Sequence, residues 1–147
     1  MGGGQVILQK DSRLNTAINK YGCYFMSLLW WVNKKVGYEF DPREILRLYN
    51  IFIDREDMRR DCFVHRPKRI LSYLGLEVEE VTKTGHSQKC LEGQFEILYF
   101  ERSSKGRIIP HFVAGDGEGH VTYDPWGESK TVREGVLTSK RIFTEEL

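Results

Sequence analysis

The run Tyr24-Phe25-Met26-Ser27-Leu28-Leu29-Trp30-Trp31-Val32 is apolar at every position except Ser27 and meets neither proline nor glycine before Gly37. Good helix formers dominate it, and a helix that is apolar all round must be buried on most of its surface. Such a helix fixes the centre of a core, and the other elements have to be wrapped around it. Gly22 stands where the chain turns into the helix, and Lys34 and Lys35 suit the negative end of its macrodipole. The run is far too short to span a bilayer. A chain of 147 residues fits a single domain over 1–147 that hides roughly two-thirds of its unfolded surface.

Polar, turn-rich residues occupy 11–20. Beyond the apolar run, Asp41-Pro42 reads as an N-cap with proline at the first helical position, opening a helix over 43–50. Residues 55–61 and 67–74 suit two more short helices, the second closed by Gly75. After Gly75 the composition turns to β, with strand-like runs at 76–81, 95–100, 108–114 and 121–123 and a weaker one at 140–143. Helices first and strands second predict an α+β fold with a largely antiparallel sheet.

Twenty-two basic against twenty-one acidic side chains leave a net charge of +1, so no global field recruits nucleic acid or anionic lipid. The mixed charges of 43–69 read as a solvated helical face. Cys23, Cys62 and Cys90 are an odd set with no motif spacing, which favours reduced thiols. Residues 1–5 show no signal-peptide pattern, and Val6 breaks the myristoylation pattern. A soluble, cytoplasmic protein without membrane insertion is expected. Cys62-Phe63-Val64-His65 has zinc-ligand spacing, but no second close pair accompanies it. The glycines of 115–119 suit a hairpin turn better than a calcium or phosphate loop. No metal and no cofactor is therefore expected.

That hairpin is the most informative segment. With its turn centred near Gly117, His111 faces Tyr123 or Asp124 across the ladder, where opposed Cβ atoms lie about 4.5–5.5 Å apart. Register or a bulge at the glycines decides which. His120, on the second strand, is the alternative base.

Cys23 stands at the first turn of the apolar helix, directly after a glycine. Unsatisfied backbone N–H groups and the positive helix end favour its thiolate. The same N–H groups can stabilise an oxyanion on a carbonyl that the sulfur attacks. An imidazole would complete the activation, and a carboxylate would fix its tautomer. Cys23, His111 and Asp124 supply those three roles in that chain order.

Tyr21-Gly22-Cys23-Tyr24-Phe25-Met26-Ser27-Leu28-Leu29, running on to Val36-Gly37, resembles the nucleophile helix of papain-like cysteine peptidases, in particular the bacteriocin-processing (double-glycine leader) group. Pro110-His111-Phe112-Val113 with Asp124-Pro125-Trp126-Gly127 is similar to their His and Asp hairpin. The Tyr21–Leu29 run also resembles a group of phage-associated and spirochaete proteins of the same fold. The likeness covers about a third of the chain. It implies a papain-like fold, with Cys23 as nucleophile, His111 as general base and acid, and Asp124 as its orienter. One departure is plain: Ala17 stands where the family usually carries its oxyanion-hole glutamine. Asn19, Asn15 or the more distant Gln9 would have to supply an amide beside the Cys23 backbone N–H.

The function expected is thiol-dependent hydrolysis of a peptide or amide bond in a peptide or protein substrate. The alternatives are a peptidoglycan amidase or endopeptidase of the phage type, and a binding module that keeps the fold without catalysis. Trp126, with Trp30 or Trp31, is a candidate to line the cleft, although packing suits the helix tryptophans better.

Overall fold

The computed structural model describes residues 6–146. Its helices are α1 (Thr16–Tyr21), α2 (Cys23–Val36), α3 (Pro42–Asp54) and α4 (Pro67–Tyr73), with α5 (Lys130–Glu134) set between strands. The strands are β1 (Val78–Gly85), β2 (Gln94–Ser104), β3 (Arg107–Gly115), β4 (Val121–Tyr123) and β5 (Val136–Glu145). They form one antiparallel sheet in the order β1-β5-β2-β3-β4. The fold is α+β, as the order of elements along the sequence predicts.

The apolar run is buried as its composition demands. Phe25, Met26, Leu28, Leu29 and Val32 are fully enclosed. Gly37, at φ 84°, ends α2 in the left-handed conformation that glycine adopts without strain, and its N–H returns to the Asn33 carbonyl. Asp41 caps α3 by accepting from the Glu44 N–H at 2.8 Å. Pro42 follows at the first position, and the helix runs four residues beyond Asn50 because Phe52 continues its buried stripe.

Alternation along the strands sorts the sheet into two faces. Phe95, Ile97, Ala114 and Phe143 join the helices in the main core. Leu98, Phe100 and Val113 form a smaller cluster on the other side with Val132 of α5 and Leu137. Trp31 packs on Phe95 with centroids 4.8 Å apart and donates its indole N–H to the Glu96 carbonyl at 2.9 Å. Trp30 stacks on Tyr123 at 5.8 Å. Both helix tryptophans therefore fasten α2 to the sheet.

Several expectations are corrected. Residues 140–143 belong to a ten-residue interior strand, hydrogen-bonded to both β1 and β2. Residues 55–61 are a loop: Glu56 and Cys62 have positive φ, and the fully buried Asp57 carboxylate receives Arg55 at 2.9 Å and Arg69 at 2.7 Å. Helix α1 lies within the polar stretch, capped by the Asn15 side chain on the Ile18 N–H. The hairpin register also differs, because Ala114 pairs with Tyr123 and Gly115 with Val121 across a bulge. His111 therefore has neither Tyr123 nor Asp124 as a ladder partner. Among the described residues, no helix is long and apolar enough to cross a membrane.

Candidate active site

Gly22 brings α1 and α2 end to end. Its N–H bonds the Ile18 carbonyl, and a Cβ there would lie 2.7 Å from that oxygen and 2.8 Å from Ile18 Cγ2. Only glycine fits so close an approach. The next residue, Cys23, thereby opens α2 against the edge of β3, where the short β4 ladder has ended. Phe112 donates its backbone N–H to Cys23 Sγ at 3.4 Å, which stabilises negative charge on the sulfur.

The neighbouring strand residue is His111, 8% exposed. Its Nε2 lies 2.7 Å from Asp124 Oδ1, and the Cys23 sulfur is close enough to raise the affinity of the ring for a proton. Burial disfavours the charged imidazole, but hydrogen bonds to Asp124 and Cys23, with their charges, outweigh it and raise the pKa from 6.5 to about 9. For Asp124, burial also opposes charge. Hydrogen bonds from His111 and Ser129 overcome it and hold the carboxyl below the usual carboxylate range. Its Oδ1 also accepts from the Trp126 N–H, and its Oδ2 from the Ser129 N–H, both at 2.9 Å. A carboxylate held by two backbone donors cannot easily rotate away from the ring.

Cys23, His111 and Asp124 are thus brought to one place, but the amide groups of Asn19 and Gln9 are engaged elsewhere. Asn19 Nδ2 donates to the carbonyls of Gln9 at 2.7 Å and Asp11 at 3.1 Å, so Asn19 is a loop clamp and not a free oxyanion donor. Gln9 Nε2 returns a bond to the Asn19 carbonyl at 3.1 Å. The Gln9 N–H reaches the Pro125 carbonyl at 2.7 Å, and Tyr123 Oη donates to the Ile7 carbonyl at 2.8 Å. The N-terminal segment therefore stitches α1, just ahead of the nucleophile, to the turn that carries Asp124. His120 sits in the hairpin, three-quarters exposed, with Nδ1 3.0 Å from Asp116 Oδ2. Trp126 is exposed on the Asp124 turn with Lys10 Nζ 5.6 Å from its ring centre. It does not border the cleft described next.

Cys23 opens into a cleft of about 1040 Å³ between the helices and the uncovered end of the sheet face. Tyr24, Phe63, Val81 and Phe112 give it apolar walls, and Tyr24 stacks on Phe112 at 4.7 Å. Lys20, Arg66, Lys68, Arg69, Lys83 and Arg141 border it, against the carboxylates of Asp61, Glu79 and Glu80. Cys62 also lines it, but burial, with lesser contributions from Asp61 and Cys23, pushes that thiol up to about 12. Cys90, away from the cleft, is pushed up to about 11 by burial and by Glu96. Among the described residues no cluster of His, Cys, Asp or Glu is placed to hold a metal ion.

One supporting group lay beyond sequence reasoning. Glu96 is fully buried and paired with Lys140, itself 1% exposed, at 2.9 Å. Its other oxygen accepts from the Gly117 and Gly119 N–H groups, each at 2.9 Å. This carboxylate pins the hairpin turn from beneath. A charged residue inside an otherwise apolar strand, Phe95-Glu96-Ile97-Leu98, was the available signal.

Residues 5–145 match the family described as "Protein of unknown function, DUF261", and the chain belongs to that family. No curated protein and no solved structure matches it.

Proposed function

We propose that this member of the DUF261 family is a thiol-dependent hydrolase that cleaves a peptide or amide bond, built on a papain-like plan. The observation that carries the reading is the position of His111, 2.7 Å from the Asp124 carboxylate and next in the strand to Phe112, whose N–H meets Cys23 Sγ at 3.4 Å. With Nε2 donating to Asp124, Nδ1 is left for the sulfur.

In this mechanism His111 takes the Cys23 proton, giving a thiolate beside an imidazolium, and the sulfur attacks the substrate carbonyl. The Cys23 backbone N–H at the start of α2 faces the developing oxyanion. Collapse of the tetrahedral intermediate forms the thioester as His111 protonates the departing amine. His111 then draws a proton from water, which attacks the thioester and releases the acid and the thiol. Asp124 stabilises the imidazolium and holds its orientation throughout. The engagement of Asn19 leaves the backbone donor to carry most of the oxyanion work, so a modest turnover is expected.

The test is cleavage of a diverse peptide mixture followed by mass spectrometry. New termini produced by the wild type and absent with Cys23→Ala and His111→Ala are expected. Identical product patterns for wild type and Cys23→Ala would overturn the assignment.

A further inference from the structure

Lys83 and Arg141 are directly opposed in the β1–β5 ladder, so their side chains leave the same face side by side. Like charges so placed destabilise an antiparallel pair. Neither is joined to a carboxylate by the ion pairs of the described residues. The sheet thus keeps two uncompensated cations together on the floor of the cleft that Cys23 opens into.

Arg141 is fixed there. Its guanidinium carbon lies 5.3 Å from the Phe112 ring centre and 5.7 Å from that of Tyr99, and Nη1 donates to Ser139 Oγ at 3.1 Å. A guanidinium stacked on aromatic rings keeps its plane, with N–H groups left to receive a planar anion. Phe112 is also the residue whose N–H meets Cys23 Sγ, so one residue touches the nucleophile with its backbone and the cationic fork with its ring. Lys83, Phe112 and Arg141 further border a second groove of about 830 Å³, which places the pair where two channels meet. Among the described residues, no carboxylate of the main cleft is in ion-pair contact with it: Asp61 pairs with Arg59, and neither Glu79 nor Glu80 is among the ion-pair partners of Lys83 or Arg141.

Resting on the reading of Cys23 as the nucleophile, we propose that the cleft selects peptides with an acidic side chain near the scissile bond. Arg141 receives that carboxylate in a bidentate pair, and Lys83 adds a second charge beside it. The two cations, awkward for the isolated sheet, become favourable once the anion lies between them.

The test uses alkylating probes that differ only in one side chain: N-iodoacetyl-glutamate amide and its glutamine and lysine counterparts, with modification of Cys23 followed by mass spectrometry. The glutamate probe is expected to react about tenfold faster than the glutamine probe, and the lysine probe slowest. Arg141→Gln should bring the glutamate-to-glutamine ratio close to one, Arg141→Lys should keep part of it, and added salt should reduce it. Lys83→Gln, on an exposed position, should lower the ratio less and provides the comparison if Arg141→Gln does not fold. A ratio near one in the wild type, or one that survives both neutral substitutions, would overturn the proposal. The ratio cancels the intrinsic reactivity of the thiol. Slow labelling that ignores His111 would therefore sink the hydrolase reading while still reporting on Arg141.

Discussion

Asp124 Oδ1 lies 2.7 Å from His111 Nε2 although the two residues share no ladder pair. The hairpin ladder stops at Tyr123, and the next residue folds back in a turn closed by the Gly127 N–H on the Asp124 carbonyl at 2.8 Å. The turn, and not strand register, delivers the carboxylate to the imidazole. Its two backbone donors, Trp126 and Ser129, make it a rigid acceptor.

Replacing that acceptor should therefore affect stability and chemistry together. Asp124→Ala leaves two backbone N–H groups and the imidazole without their partner, a loss of about 2–4 kcal/mol. Asp124→Asn retains an acceptor and should cost less. Urea unfolding measures the difference, and both variants should slow alkylation of Cys23.

The titration of His111 gives a pH dependence of known sign. Its affinity for a proton is higher in the folded chain, at about 9, than the ordinary 6.5. The folded state therefore holds the extra proton between those values, and stability falls as pH rises through that window. The contribution is complete below pH 6.5 and lost above about 9. The stability gap between wild type and His111→Ala should shrink over that range. Because Cys23 is one of the groups that raise the midpoint, Cys23→Ala should lower it, as read by NMR of the imidazole.

Gly22→Ala should damage the site through the backbone. The new methyl would stand 2.7 Å from the Ile18 carbonyl oxygen, which cannot swing aside as a side-chain end could. A loss of about 1–3 kcal/mol is expected from such overpacking, with slower alkylation of the displaced Cys23. Denaturant unfolding alongside labelling rates checks both.

Lys140→Met should be among the most destabilising single changes. It leaves the Glu96 carboxylate buried without its counter-ion, which typically costs about 3–5 kcal/mol. Glu96 also holds the Gly117 and Gly119 N–H groups, so hydrogen exchange at the hairpin turn should accelerate in the variant.

The sequence made local features legible and left long-range ones hidden. The Tyr24–Val32 run could only be a buried helix, and Gly37 and Asp41-Pro42 marked boundaries by chemistry that acts within a single turn. The strand at 121–123 was bounded by turn residues and is found with those limits. By contrast, β5 looked weak because Lys140 and Arg141 interrupt its apolar pattern. One is neutralised by Glu96, distant in sequence, and the other faces the cleft. Residues 55–61 looked helical, yet their conformation follows from Asp57 meeting Arg69 across the loop. The register failed for a similar reason, since a bulge between Ala114 and Gly115 shifts the pairing. Cys23, His111 and Asp124 were visible as residue types with a motif, and they do come together. The engagement of Asn19 is invisible in the sequence because its partners, the Gln9 and Asp11 carbonyls, are set by how the N-terminal segment folds back.

The most direct test of the central claim is the pH dependence of iodoacetamide alkylation, with the modified cysteine located by mass spectrometry and His111→Ala measured alongside. Burial pushes the Cys62 and Cys90 thiols up to about 12 and about 11, so labelling near neutrality reports on Cys23. Fast, selective modification of Cys23 at and below neutral pH, slowed at least tenfold in His111→Ala, is the result expected of a thiolate–imidazolium pair. Slow modification that rises only in the range of a free thiol, and is unchanged in the variant, would contradict it.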